Sequence, residues 1–128
     1  MTKQTLKDLR DCFKSEHPKT WFFDLDGTIL EYNLIFSAVG KDRLLPGVKE
    51  LWKQIPKKDM IILVTARPNY LKEVTLKFLE KNGIRFDHVI FDLPRGERIL
   101  VNDEKPSGIQ TDRKSTRLNS SHTDISRM

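Results

Sequence analysis

The sequence predicts an α/β domain of three layers, α/β/α, built on a mostly parallel sheet. Three observations predict it. Apolar, β-prone runs of strand length ("TWFFD", "MIILVTA", "HVIFDL" and "RILVND") share the chain with segments of helical period. The run "MIILVTA" is apolar without a break, as a strand buried on both faces requires. Strand after strand ends in polar or acidic residues: Asp24 and Asp26, then Thr65, then Asn102 and Asp103. Crossovers of helix length make such strands parallel and bring their carboxyl ends to one rim, where ligands bind in sheets of this kind.

The elements follow in chain order. Leu6, Leu9 and Phe13 share one helical face, which predicts an amphipathic helix over about residues 3–15. "TWFFD" is the first strand. Residues 25–45 read as irregular, with an apolar Leu34-Ile35-Phe36 inside them. Pro46 and Gly47 open a second helix that carries Val48, Leu51, Trp52 and Ile55 at helical spacing. "MIILVTA" is the second strand. In "NYLKEVTLKFLEKNG", Leu71, Val74, Phe78 and Leu79 line one side and Gly83 is placed to cap the end. Two further strands flank "PRGE", a link too short for a helical crossover, so the last two strands are expected to depart from simple parallel winding. Trp21, Phe22 and Trp52 read as core or helix-packing residues, and His17 and His88 as structural or exposed.

Composition narrows the function classes. The 128 residues suit one domain with one core. No apolar run approaches the roughly 18–20 residues of a membrane span. The opening "MTKQTLKDLRDCFKSEH" carries acids and has no apolar centre, which argues against a leader peptide. Cys12 is the single cysteine, which fits a reducing compartment, and a cytoplasmic location is expected. Residues 112–128 hold four basic side chains (Arg113, Lys114, Arg117, Arg127) and two acidic ones (Asp112, Asp124), so the remaining body carries +3 of the formal +5. With no block of like charge and no basic–aromatic alternation, nucleic acid is not an expected partner and a small anionic molecule is.

"DRKSTRLNSSH", residues 112–122, has neither apolar period nor turn signals. It resembles one translated frame of a sequencing-library adapter. A domain over residues 1–111, truncated at its end, and a non-native, disordered tail over 112–128 are therefore expected.

The informative stretch is "TWFFDLDGTIL". Asp24 and Asp26 stand one residue apart at the end of a strand. Successive strand residues face opposite sides. If the strand ends at Asp24, both carboxylates can turn to one pocket, and Gly27 permits the bend. Carboxylates so close repel unless a positive group shares the site. Asp103 adds a third. Hard oxygen donors without histidine suit Mg²⁺ rather than zinc.

"FFDLDGTIL", "ILVTARP" and "VNDEKP" together resemble the haloacid dehalogenase-like superfamily of phosphohydrolases. The "DxDGT" after an apolar strand resembles its first motif, the strand ending in Thr65 its second, and Asp103 its fourth. The likeness covers roughly residues 19–106, and within the superfamily it is nearest to small, capless members. It implies a Rossmann-like domain without a large cap, since neither the gap from Asp26 to Thr65 nor that from Thr65 to Asp103 has room for one.

The resemblance also implies roles. Asp24 would be the nucleophile that forms an aspartyl-phosphate, and Asp26 the acid and base. Asp24, Asp26 (through its carbonyl) and Asp103 would bind Mg²⁺. Thr65, with Ala66 beside it and backbone N–H groups near Gly27 and Thr28, would hold the phosphoryl oxygens. Arg67 would meet substrate phosphate, the alternative being a solvated surface arginine. Two departures stand out. No lysine lies between Asn82 and Lys105, so Arg95 is the first candidate to offset the nucleophile's charge. Asn102 precedes Asp103 where relatives are often acidic. The expected activity is Mg²⁺-dependent hydrolysis of a phosphomonoester, with a sugar phosphate or other small phosphometabolite as substrate. The alternatives are a phosphate- or partner-binding module that lost turnover, and a phosphotransferase.

Overall fold

The structure is a computed structural model that describes residues 9–14, 16–33 and 38–103. The chain divides into two compact units, Met1–Pro94 and Arg95–Met128. The first holds the sheet. Its strands are β1 (Thr20–Asp24), β2 (Met60–Val64) and β3 (His88–Ile90), all parallel, in the order β1-β2-β3. Helix α1 (Val48–Gln54) lies between β1 and β2 in the chain, and α2 (Lys72–Lys81), entered through a 3₁₀ turn at Asn69–Leu71, lies between β2 and β3. The expected α/β class with a parallel sheet is what forms.

Register decides which side chains share a face. Trp21 pairs with Ile61, and Phe23 with Leu63, which in turn pairs with Val89. This row joins the core together with Val48, Leu51 and Trp52 of α1 and Leu79 of α2. Trp52 tilts against Phe23 at 4.6 Å between ring centroids, and Phe23 stacks on Trp21 at 5.6 Å. Each buried indole finds an acceptor, as such groups require: Trp21 Nε1 donates to Asp59 Oδ2 and Trp52 Nε1 to the Arg85 carbonyl, both at 2.9 Å.

The opposite row is Thr20 and Met60, then Phe22, Ile62 and His88, then Asp24, Val64 and Ile90. Phe22, Met60 and Ile90 are exposed, at 47%, 41% and 49%. β2 therefore alternates instead of being buried on both faces as its unbroken apolar run suggests. The topology explains this. Strand order rises in one direction, and right-handed crossovers then place α1 and α2 on the same face. Among the described residues, neither α1 nor α2 covers the other face.

Three further expectations change. The helix over 3–15 is represented by a 3₁₀ turn at Arg10–Phe13, and residues 3–8 and 15 lie outside the described residues, as do Leu34, Ile35 and Phe36. "RILVND" forms no strand over its residues 98–103. After β3 the chain instead turns over the end of β2. The N–H groups of Asp92 and Leu93 donate to the carbonyls of Arg67 and Thr65 at 2.9 and 3.1 Å, and Asp92 adopts φ 63°. The tail at 112–128 also lies outside the described residues. Among the described residues no helix is long and apolar enough to cross a membrane.

The second unit is short in its described part. Arg98 Nη1 donates to the Gly96 carbonyl at 2.8 Å, and the Asp103 N–H donates to Asn102 Oδ1 at 3.0 Å. Ile99 and Val101 are exposed.

Candidate functional site

The carboxyl ends of the three strands line up where Asp24, Val64 and Ile90 share a register. Asp24 is half-buried, and its Oδ1 accepts from the Leu25 N–H at 2.9 Å. Beyond it the chain turns tightly around the Leu25 carbonyl, which accepts from the N–H groups of Thr28, Ile29 and Leu30 at 3.2, 2.9 and 2.9 Å. The Gly27 N–H closes the turn on the Leu30 carbonyl at 2.8 Å, and Gly27 has φ 83°, a left-handed conformation that favours glycine. The N–H groups of Gly27 and Thr28, expected to face phosphate, are thus engaged inside this turn.

The returning strand of the turn pairs with a later segment. Leu30 bridges Leu44 antiparallel, with Glu31 N–H to the Arg43 carbonyl and Leu45 N–H to the Ile29 carbonyl, both 2.9 Å. This pairing carries Asp42 to the vicinity of Asp26. Arg67, three residues past β2, joins them.

Its guanidinium is the hub of the site. Nη2 donates to Asp26 Oδ1 at 2.8 Å and Nε to Asp26 Oδ2 at 3.1 Å, with a longer contact from Nε to Oδ1 at 3.3 Å. On its other edge Nη2 donates to Asp42 Oδ1 at 2.8 Å and Nη1 to Asp42 Oδ2 at 3.0 Å. Nη1 also donates to Thr75 Oγ1 on α2 at 2.9 Å. An arginine has five N–H donors, and all five are used. The side chains of Arg67 and Asp42 are 1% and 0% exposed, and that of Asp26 15%. Burial works against the guanidinium's charge. The hydrogen bonds and charges of Asp42 and Asp26 more than offset it and hold Arg67 protonated above its ordinary range.

Arg67 is therefore not a solvated surface arginine, and its donors face protein carboxylates. Exchanging one carboxylate for a substrate phosphate leaves a buried anion unpaired. That costs about 3–5 kcal/mol, against about 1.5–3 kcal/mol for a charged hydrogen bond gained.

Thr65 is fully buried. Its Oγ1 accepts from the Arg67 N–H at 3.0 Å, so the hydroxyl shapes the turn that presents Arg67. Ala66 is half-buried between them. Asp92 Oδ1 accepts from the Asn69 N–H at 3.1 Å, tying the end of β3 to the entry of α2.

The first unit brings together Asp24, Asp26, Gly27, Thr28, Thr65, Ala66 and Arg67. Arg95 and Asp103 belong to the second unit. Asp42 and Thr75 escaped the sequence reading. Asp42 lies in an irregular stretch without motif character. Thr75 had a signal: Leu71, Thr75 and Leu79 form an i, i+4, i+8 row, and a hydroxyl within a buried row asks for a partner.

Magnesium can be weighed against these side chains. One guanidinium faces two carboxylates, so the Arg67 cluster carries a formal −1, and Asp24 adds to it. That surplus suits a cation. The ligand set is another matter. Both side-chain oxygens of Asp26 are held by Arg67, and the end of β1 supplies the Asp24 carboxylate and the Asp26 carbonyl. Among the described residues no group of three or more His, Cys, Asp or Glu is arranged to hold a metal ion. The described residues do not make up a complete magnesium site.

No family model and no curated protein matches the chain. Among solved structures, a chain of the Pnkp1/Rnl/Hen1 complex matches 66% of this chain with TM-score 0.52 and 28% identity. A chain of the Pnkp1/Rnl/Hen1 RNA repair complex matches 66% with TM-score 0.51 and 26% identity. The chain spans 31% and 29% of the lengths of those two chains, and the parallel α/β frame is what it has in common with them.

Proposed function

We propose that the chain is a haloacid dehalogenase-like phosphohydrolase, of the type without a large cap, that cleaves phosphomonoesters through Asp24. The observation that carries this reading is the folded form of "DLDGT". It is a parallel strand that ends at Asp24, followed at once by a turn that leaves the Asp26 carboxylate fixed by Arg67.

In this reading an Asp24 oxygen attacks phosphorus, and the bond to the leaving oxygen breaks. Asp26 gives that oxygen a proton. A water then attacks the aspartyl-phosphate and yields its proton to Asp26, which restores Asp24 and releases phosphate. The two oxygens of Asp26 differ. Oδ1 takes the 2.8 Å bond from Nη2, whereas Oδ2 takes only the 3.1 Å bond from Nε. Oδ2 is the oxygen suited to exchange the proton. Magnesium enters from the family resemblance: Asp24 and the Asp26 carbonyl would help hold it, and it would offset the charge between nucleophile and phosphate.

The substrate class proposed first is a small phosphometabolite such as a sugar phosphate. The likeness to chains of an RNA repair complex favours a second reading, a phosphate at an RNA end. Turnover of an aryl phosphate is the first measurement. Asp24→Asn is expected to lower kcat by at least about 10³-fold, since the nucleophile is lost. Wild-type turnover by that variant removes the assignment. EDTA is expected to abolish activity and Mg²⁺ to restore it. Phosphate release from a sugar phosphate and from a 3′- or 5′-phosphorylated oligoribonucleotide then separates the two substrate readings.

A further inference from the structure

Three segments meet at Arg67. Residues 38–44 bring Asp42, the end of β2 brings Arg67 itself, and α2 brings Thr75. The seat of residues 38–44 on α2 is tight. Gly40 has φ 74°, and a Cβ there would stand 3.0 Å from Val74 Cγ2, one residue before Thr75. Asp42 and Thr75 thus anchor one end of the guanidinium inside the unit. The opposite edge, Nε and Nη2, holds Asp26 as a planar fork, which fixes a carboxylate's plane as well as its distance.

We propose that Arg67 is a positioning residue whose guanidinium, anchored by Asp42 and Thr75, sets the orientation of the Asp26 carboxylate and leaves Oδ2 as its working oxygen. The proposal rests on the reading that Asp26 handles the proton, and it replaces contact between Arg67 and substrate phosphate. Asp42 and Thr75 act in this scheme by holding Arg67. Their effect passes through Arg67 to Asp26.

The test uses the full chain with Asp42→Asn and Thr75→Val, both close to isosteric, together with Arg67→Lys, which keeps the charge and loses the fork. With an aryl phosphate, kcat is expected to fall about 10²-fold for Asp42→Asn and Arg67→Lys and about 10-fold for Thr75→Val, the scale of a misplaced reacting group. KM is expected to stay within about twofold, because uniform binding is untouched. A second readout is independent of turnover. The three-bond Hα–Hβ couplings of Asp26 are expected to report one rotamer in the wild type and averaging in Asp42→Asn and Thr75→Val. Wild-type kcat in the folded variants, or unaveraged couplings, overturns the proposal. A rise in KM at constant kcat returns Arg67 to substrate binding. If Asp42→Asn does not fold, Thr75→Val decides. If the wild-type chain turns over no phosphomonoester, the hydrolase reading fails, and the couplings still decide whether Arg67 orients Asp26.

Discussion

Two carboxylates, Asp42 and Asp59, are both buried and serve different purposes. Asp59 lies just before β2, at the end of the sheet away from Asp24. Its Oδ1 accepts from the Lys19 N–H and its Oδ2 from Trp21 Nε1, both at 2.9 Å, with Lys19 Nζ 3.7 Å from Oδ2. Every donor there belongs to β1 or its entry, so Asp59 ties β2 to β1. Asp59→Ala is expected to strand the Trp21 N–H and lower stability by about 1–3 kcal/mol in urea unfolding, while turnover per folded molecule stays unchanged. A loss of turnover would mean that the two ends of the sheet communicate. Arg67 adds no pH dependence of its own. Its folded pKa lies above its ordinary value, so its contribution is fully present below that value and is lost only as pH rises through the folded one. Over roughly pH 5–9 the contribution is constant.

At the scale of elements, legibility in the sequence followed periodicity. The runs that became α1 and α2 carry a helical period in apolar residues, and those that became β1 and β2 are apolar, β-prone stretches of strand length, so their order and type could be read directly. Gly83 could be read as a cap, and it does adopt φ 74° after α2. What could not be read was pairing without period. The bridge between Leu30 and Leu44 joins two stretches that look irregular, and only that bridge explains how Asp42 reaches Arg67. The turn at Asp92 was equally silent, because the N–H groups of Asp92 and Leu93 donate to backbone carbonyls, which any residue type supplies. Gly40 offers a direct check on the loop that carries Asp42. Gly40→Ala combines a left-handed φ with a Cβ 3.0 Å from Val74 Cγ2. It is expected to cost about 1–3 kcal/mol in thermal or urea unfolding. Unlike Asp59→Ala, it is expected to lower kcat as well, since it shifts the anchor of Arg67. An unchanged kcat would show that the loop tolerates displacement without disturbing Asp26.

For the whole molecule the decisive feature is the one-sidedness of the sheet in the first unit. The sequence gives Phe22 and Phe23 nearly the same surroundings, apolar neighbours on a β-prone run, and cannot tell them apart. The topology can. Phe23 is 2% exposed and packs between Trp21 and Trp52, whereas Phe22, on the row with Met60 and Ile90, is 47% exposed. Truncating a buried phenylalanine removes its transfer free energy and leaves a cavity, so Phe23→Ala is expected to cost about 3–5 kcal/mol. Phe22 loses little area and leaves no closed cavity, so Phe22→Ala is expected to cost no more than about 1–1.5 kcal/mol, from roughly 25 cal/mol per Å² of the area it does bury. Urea unfolding of the two single variants measures the difference, and a gap of at least about 1.5 kcal/mol is expected. Equal costs would mean that the Phe22 face is covered as fully as the other in the folded protein. The alternation along β2 would then have to be replaced by the doubly covered strand that its unbroken apolar run first suggested.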